Sequence, residues 1–336
     1  MFLGYNESMV SGLTDSFGRV HRYLRVSLTD QCNFRCRYCM PEHGINWLPS
    51  HDLLTDEEVL RMIRIFGGLG INKVRFTGGE PTLRPNLETL IAESKSIPGI
   101  EVVALTTNGS TLKCKAEDYR RAGLDIINIS LDSLQQGTFR DITLRDQLKN
   151  VLAGIEETLQ AGFQEVKVNV VVMRGVNESE ILHFVQLTKD WPFTVRFIEF
   201  MPFVGNKWSQ ASLMPYSEIR SEIEAKHDLI PLHNSPSSVG KDFCIPGYAG
   251  KIGFVTSMTE TFCGDCDRVR LTADGAIKPC LFSPAEVNVR ALLREGADEE
   301  TIVEKIEEAI QRKPREHKPM IHLSTIQERS MIQIGG

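Results

Sequence analysis

Along the first 200 residues, short apolar runs alternate with longer stretches in which apolar residues recur every three or four positions. The short runs, at 23–28, 73–77, 101–106, 126–131, 165–172 and 193–200, predict strands. The stretches at 55–69, 86–96, 113–122, 146–161 and 179–190 predict helices, and Thr55 followed by Asp56, Glu57 and Glu58 is a helix start with acids in its first turn. Six such strand–helix units predict an α/β protein with a parallel sheet. No G-x-G-x-x-G follows the first strand, which disfavours a dinucleotide-binding fold.

Side chains alternate between the two faces of a strand. One face reads Leu24/Val26, Val74/Phe76, Ile127/Ile129, Val166/Val168 and Val195/Phe197. The other reads Arg25/Ser27, Arg75/Thr77, Asn128/Ser130, Lys167/Asn169 and Arg196. An open doubly wound sheet is apolar on both faces; here one face is polar and basic. A barrel curved around a binding cavity, with its helices outside, explains this, and polar positions clustered near strand ends are the alternative. Barrel sites lie at the C-terminal ends of strands. Residues 201–250 are richer in Pro and Gly, with one helical stretch at 216–226. The expected organisation is therefore a partial barrel over 15–200, a crossing segment over 201–250 and a C-terminal lobe over 251–336.

Bulk composition narrows the class. The chain has 336 residues, 41% hydrophobic and 24% charged, with a net charge of −6, so no global field draws it to nucleic acid. Its apolar runs are too short and too often broken by charge for a membrane span, and residues 1–22 show no signal-peptide pattern. Eight cysteines, six of them in two groups with metal-ligand spacing, point to a reducing compartment, with cytoplasm the expected location. Cys114 and Cys244 stand apart from these groups and read as small apolar fillers.

The first group is Cys32, Cys36 and Cys39, spaced C-x3-C-x2-C directly after the first strand, with Tyr38 before the last cysteine. Thiolates bind iron–sulfur clusters and zinc. Three thiolates on a four-iron cube leave one iron open to a substrate or cofactor; an incomplete zinc site is the alternative. Thr77-Gly78-Gly79-Glu80-Pro81 follows the second strand. The second group is Cys263, Cys266 and Cys280, spaced C-x2-C-x13-C, and here zinc completed by His227, His233 or Cys244 is a serious alternative. Against zinc, Arg268 and Arg270 stand on one face of an expected strand beside these cysteines, where guanidinium forks suit an anionic ligand.

The C-x3-C-x2-C loop with its aromatic residue, followed by Gly-Gly-Glu-Pro, resembles the radical S-adenosylmethionine (SAM) superfamily. The resemblance narrows at Phe262-Cys263-x-x-Cys266-Asp267-Arg268-Val269-Arg270-Leu271-Thr272-x-Asp274-Gly275, then Cys280-Leu281, and at the terminal Gly335-Gly336. Together with residues 24–32, these are similar to the GTP 3′,8-cyclases of molybdenum-cofactor (molybdopterin) biosynthesis, from about residue 15 to the end. Asp267 departs from the asparagine expected there.

The resemblance implies an incomplete (β/α)6 TIM-type barrel of the radical SAM class with a C-terminal cluster-binding lobe. It implies two 4Fe-4S clusters, one on Cys32, Cys36 and Cys39 and one on Cys263, Cys266 and Cys280. SAM would contact Tyr38, Gly79, Ser130 and Met201. GTP would contact Arg25, Arg75, Thr106, Lys167, Arg268, Val269 and Arg270, and Gly335 and Gly336 would enter the site. A terminal Gly-Gly is otherwise an ordinary frayed end.

The implied reaction starts with one-electron reduction of the first cluster, which cleaves SAM to a 5′-deoxyadenosyl radical. Removal of the C3′ hydrogen of GTP is followed by attack on C8. Implied partners are GTP, an external one-electron reductant and, as a candidate, a second copy of the chain, with no nucleic acid and no membrane. The rival readings are a radical SAM peptide or protein maturase with an auxiliary cluster, and a non-catalytic iron–sulfur electron carrier.

Overall fold

In the computed structural model, residues 12–41, 44–284, 286–326 and 329–335 are described. The six strands form where the pattern puts them: β1 (Tyr23–Ser27), β2 (Lys73–Thr77), β3 (Val102–Thr107), β4 (Ile126–Ser130), β5 (Glu165–Val172) and β6 (Thr194–Glu199). They lie in chain order, each parallel to the next. Between them run α1 (Asp56–Gly68), α2 (Leu87–Lys95), α3 (Ala116–Arg121), α4 (Gln136–Thr143), α5 (Leu148–Gln160) and α6 (Ile181–Leu187). Thr55 starts α1 through a reciprocal cap: its hydroxyl accepts from Glu58 N–H at 3.2 Å, and Glu58 Oε2 accepts from Thr55 N–H at 2.8 Å.

Helix α4 is absent from the sequence reading. It buries only Phe139, Ile142 and Thr143, too few positions to show a helical period. The filler reading of Cys114 is corrected: the residue is exposed, at a left-handed φ of 65° just before α3. Cys244 is half-buried.

Alternation along the strands sorts the side chains as expected. Leu24, Val26, Val74, Phe76, Ile127, Ile129, Val195 and Phe197 are at most 1% exposed and belong to one core with Ile63 and Phe66 of α1, Leu90 of α2, Val151 of α5 and Phe184 of α6. Full burial of a side chain of this size stabilises the fold by about 1.5–3 kcal/mol. The opposite face is partly buried, with Arg25, Ser130, Lys167 and Asn169 half-buried and Arg75, Asn128 and Arg196 buried.

The remaining strands are β7 (Ile230–Pro231), β8 (Gly240–Cys244), β9 (Lys251–Val255), β10 (Arg268–Leu271), β11 (Ala276–Lys278) and β12 (Val287–Asn288). They extend the same sheet at both edges: β9 pairs parallel with β6, β10 pairs parallel with β1, and the outer strands follow antiparallel. The result is a twelve-stranded open sheet ending at β12 and β7. It is curved, because Arg25 of β1, Asn128 of β4, Arg196 of β6, Val255 of β9 and Arg270 of β10 all line one cavity. This is the expected incomplete barrel, with its wall prolonged by C-terminal strands. The stretch 201–250 contributes α7 (Tyr216–Glu224) and two of those strands. After β12 come α8 (Arg290–Arg294), α9 (Glu299–Gln311), α10 (Met320–Ile326) and α11 (Met331–Ile334). Among the described residues no helix is long and apolar enough to cross a membrane.

Candidate active site: two thiol sets at opposite ends of one cavity

The first cysteine loop leaves the C-terminal end of β1. Cys39 N–H and Met40 N–H both donate to Cys36 O at 3.0 Å, a single helical turn that puts Cys36 and Cys39 on one side. The loop is stitched to the end of α4, with Arg35 N–H donating to Thr143 O at 2.9 Å and Arg37 N–H to Ile142 O at 3.0 Å. All three thiols line the cavity. Burial and Glu80 push the Cys32 thiol up to about 11, while burial, Asp132 and the other two thiols push Cys36 up. Cys32 raises both other thiols and Cys39 raises Cys36, so the three are close neighbours, and a cation-rich group accepting them as thiolates would relieve that cost.

Beside this loop runs the Gly-Gly-Glu turn. Gly79 N–H donates to Thr29 O at 2.6 Å and Glu80 N–H to Gln31 O at 2.7 Å. The approach is so close that a Cβ on Gly79 would stand 2.1 Å from Gln31 O, so only glycine fits. Glu80 is buried and accepts from Thr107 Oγ1 at 2.6 Å, Asn108 N–H at 2.7 Å and Thr82 Oγ1 at 2.7 Å. It ties the turn to the end of β3.

The second set lies at the other end of the barrel. Cys263 and Cys266 sit just before β10, which runs parallel to β1 with Arg268 level with Tyr23. The turn at Gly275 (φ 83°) reverses the chain into β11, where Lys278 lies opposite Arg270, so Cys280 returns to the level of Arg268, two residues beyond Cys266. The thirteen residues between Cys266 and Cys280 are therefore one hairpin. At about 3.3 Å per residue, the five positions of β1 separate the two ends by roughly 16 Å. Burial would raise the Cys266 thiol, but Arg268 and Lys313 outweigh it and bring it down to about 7. Arg268 Nη2 and Lys313 Nζ each donate to its sulfur at 3.4 Å.

The cavity joining the ends holds about 1780 Å³ of space free of protein atoms, its open mouth included. Arg270, Arg25 and Arg75 stand level across β10, β1 and β2, the first two on the cavity wall, and Ser130, Asn169 and Arg196 form a second row on the wall across β4, β5 and β6. Asn128 Oδ1, Asn169 Oδ1, Arg196 Nε, Ser257 Oγ and Arg268 Nε are buried without a hydrogen-bond partner in the protein, the mark of a wall built to meet a polar ligand.

Of the residues named from sequence, the six clustered cysteines, Tyr38, Gly79, Ser130, Met201, Arg25, Thr106, Arg268 and Arg270 line this cavity. Arg75 stands behind it, donating to Leu105 O at 2.8 Å and Thr106 Oγ1 at 3.3 Å. Lys167 is likewise outside the lining, paired with Glu165 at 2.7 Å. The Val269 side chain faces the helices in the main core, because it alternates with the two arginines that face inward. His227, His233 and Cys244 are not among the lining residues either. Neither is Asp267, whose side chain bonds Ser237, so its departure from asparagine falls off the cavity wall.

Gly335, at φ 84°, packs where a Cβ would come 2.7 Å from Ser27 Cβ and 2.9 Å from Thr77 Oγ1, at the C-terminal ends of β1 and β2. Gly336 lies outside the described residues. Sequence reasoning passed over Asn128, Asn169 and Arg196 as site residues although all three were on its polar face. It also missed Asp132, which lines the cavity, accepts from Val171 N–H at 2.9 Å and is held up at about 6 by burial.

The donor chemistry of each set suits an iron–sulfur cluster: all six cysteines are free and line one cavity, three to a set. A curved parallel sheet with such a loop after its first strand defines a radical SAM enzyme. Residues 26–188 match the radical SAM superfamily model, and residues 193–319 match Molybdenum Cofactor Synthesis C. The chain is 45% identical to a protein of Thermodesulfovibrio yellowstonii named GTP 3′,8-cyclase, covering 94% of this chain and 99% of that one. It is also 45% identical to the mitochondrial GTP 3′,8-cyclase of Arabidopsis thaliana, over 96% of this chain and 83% of that one. The chain belongs to the GTP 3′,8-cyclase family. It spans about half the length of the human molybdenum cofactor biosynthesis protein 1, to which it is 46% identical over 96% of this chain and 51% of that protein. In fold it is similar to the Streptococcus suis enzyme SuiB bound to its precursor peptide SuiA, with a TM-score of 0.59, 13% identity and coverage of 95% of this chain and 76% of that one.

Proposed function

We propose that this chain is a radical SAM lyase that cyclises GTP to (8S)-3′,8-cyclo-7,8-dihydroguanosine 5′-triphosphate, the first step of molybdopterin and molybdenum-cofactor biosynthesis. The observation that carries the reading is one cavity with three thiols at each end and Arg25, Arg196, Arg268 and Arg270 between them. Cys32, Cys36 and Cys39 would hold a cluster that, fed by an external one-electron reductant, would supply the reducing chemistry for SAM cleavage and so for hydrogen removal at C3′ of GTP.

The chain's own residues bind, orient and exclude. Tyr38, Gly79, Ser130 and Met201 bound the SAM end. Arg25, Thr106, Arg268 and Arg270 receive the triphosphate, whose charge explains these three guanidiniums on the wall, with Arg196 a fourth, in a protein of net charge −6. Arg75 and Lys167 add positive charge from behind the wall, Arg75 by holding Thr106 in place. Val269 offers its backbone. Cys263, Cys266 and Cys280 hold the second cluster at the purine end. Gly335 and Gly336 are the tail residues that we propose enter the site; the support is Gly335, which fits between Ser27 and Thr77 because it has no side chain. Keeping C3′ beside the reactive carbon, with water and other C–H bonds shut out, is a proximity effect.

All six ligating thiols come from one chain, so the site needs no second copy. Free cysteines with these roles favour a reducing compartment for the working enzyme, and the cytoplasm is our reading. Anaerobic incubation with GTP, SAM and dithionite tests the reading. Mass analysis should find an isomer of GTP and one 5′-deoxyadenosine per turnover; SAM consumed with GTP returned unchanged would overturn it.

A further inference from the structure

Lys313 is a buried ammonium, 3% exposed, placed just past the end of α9. Its Nζ donates to Arg268 O at 2.8 Å, Cys266 O at 3.1 Å and Cys266 Sγ at 3.4 Å, and meets His21 Nδ1 at 3.4 Å. None of these partners is a carboxylate. A buried charge is costly without a counter-charge; the anion Lys313 touches directly is the Cys266 sulfur, with Cys280 and the Asp267 carboxylate also feeling its charge.

The surroundings fix the ammonium in that orientation. Asp15 Oδ2 lies 3.2 Å from His21 Nε2 and accepts its proton, which leaves Nδ1 as the lone pair facing Lys313. Burial and the Lys313 charge hold His21 down at about 4, so it is neutral and able to accept. Asp15 also binds Arg19 Nε at 2.6 Å, and Arg19 Nη1 reaches Cys263 O at 2.7 Å and Arg315 O at 2.8 Å. Four segments, 15–21, 263–266, 268 and 313–315, thus converge behind one sulfur, on the side away from the cavity. Neither Lys313 nor His21 lines that cavity, so neither contacts substrate.

We infer that Lys313 is a positioning residue that sets the charge on the Cys266 sulfur and thereby raises the reduction potential of the second cluster. The reduced cluster carries one more negative charge than the oxidised one, so a cation hydrogen-bonded to a ligand sulfur favours the reduced form. Hydrogen bonds to the sulfurs and local charge are the protein's established controls on iron–sulfur potentials. Arg268 donates to the same sulfur, but it also lines the cavity and is available to substrate. Lys313 makes the contact from outside, so its effect persists whether or not GTP is bound. The inference rests on the two-cluster reading of the site.

The test uses the full chain holding both clusters, in an anaerobic potentiometric titration followed by electron paramagnetic resonance. The second cluster is the component missing from a Cys266→Ala chain. Lys313→Met, of similar length and uncharged, is expected to move that component's midpoint to a more negative potential and leave the first cluster's midpoint in place. Lys313→Arg should stay near the parent, and Lys313→Gln should fall between Met and Arg. An unchanged midpoint in Lys313→Met, or equal shifts in both clusters, would overturn the inference. If Lys313→Met does not retain the second cluster, Gln against Arg decides: a more negative midpoint in Gln supports it, and equal midpoints sink it. A parent protein whose second component ignores GTP would contradict the proposed function and leave the midpoint comparison intact.

Discussion

The two ends of the cavity carry the same three-thiol chemistry in opposite electrostatic surroundings. At the first set the neighbouring charges are Glu80 and Asp132, with Arg35 opposing them at Cys32, and the sulfur contacts come from neutral donors, Phe34 N–H at 3.3 Å and Asn108 Nδ2 at 3.9 Å, both to Cys32. At the second set two cations, Arg268 and Lys313, reach Cys266. Burial among anions disfavours adding an electron, so a cluster there is a strong reductant once reduced, as SAM cleavage requires. A cluster among cations holds its electron more readily and leaves positive charge for an anionic substrate. The ligand type fixes the cofactor, and the surroundings divide the labour.

The largest expected effects separate the two ends outright. Cys36→Ala should abolish SAM cleavage, while Cys266→Ala should leave 5′-deoxyadenosine measurable and cyclised product absent; chromatography of both products checks the pair. If Cys266→Ala still cyclised GTP, the division would collapse. Next is the tail: deleting Gly335 and Gly336 should spare iron content and folding but remove the cyclised product. Gly335→Ala should do nearly as much, since its Cβ would meet Ser27 Cβ at 2.7 Å. Unimpaired product from the truncation would return the tail to a frayed end.

A smaller effect is expected from Arg268→Ala. Loss of a charge-assisted contact should weaken GTP binding by about 1.5–3 kcal/mol, roughly 10- to 150-fold, with SAM cleavage still measurable. Equilibrium dialysis with GTP reads this directly, and parent-like affinity would remove Arg268 from the phosphate site. The mildest prediction concerns His21, whose pKa falls from 6.5 to about 4 on folding because of burial and Lys313. The unfolded chain takes up that proton below pH 6.5 and the folded chain only near 4. Stability is therefore intact above 6.5 and declines as pH falls through this window, by about 2 kcal/mol at pH 5. Chemical unfolding at pH 7.5 and 5 should show that loss in the parent and not in His21→Gln; equal losses in both would refute it.

Much of this was legible because it is local. Period-two alternation separated the Leu24/Val26 face from the Arg25/Ser27 face, since a strand's geometry leaves a side chain no other choice. The same alternation continued past Ser130 to Asp132, a signal present but not followed. Helix α4 left no such trace, yet it is what anchors the first cysteine loop through Thr143 O and Ile142 O. Arg75 and Lys167 were assigned to the right face, but sequence could not say that Thr106 and Glu165 would take up their charged ends.

By itself the sequence determined the donor types, their spacing and the polar face of the barrel, all set by neighbours within a few residues. Only the tertiary structure decided that the two thiol sets stand at opposite ends of one cavity. That outcome hangs on β10 pairing parallel with β1, a contact between strands 245 positions apart, Tyr23 against Arg268. Such a pairing is chosen by which register buries Leu24, Val26, Val269 and Leu271 together while aiming Arg25, Arg268 and Arg270 inward, and no local pattern encodes it.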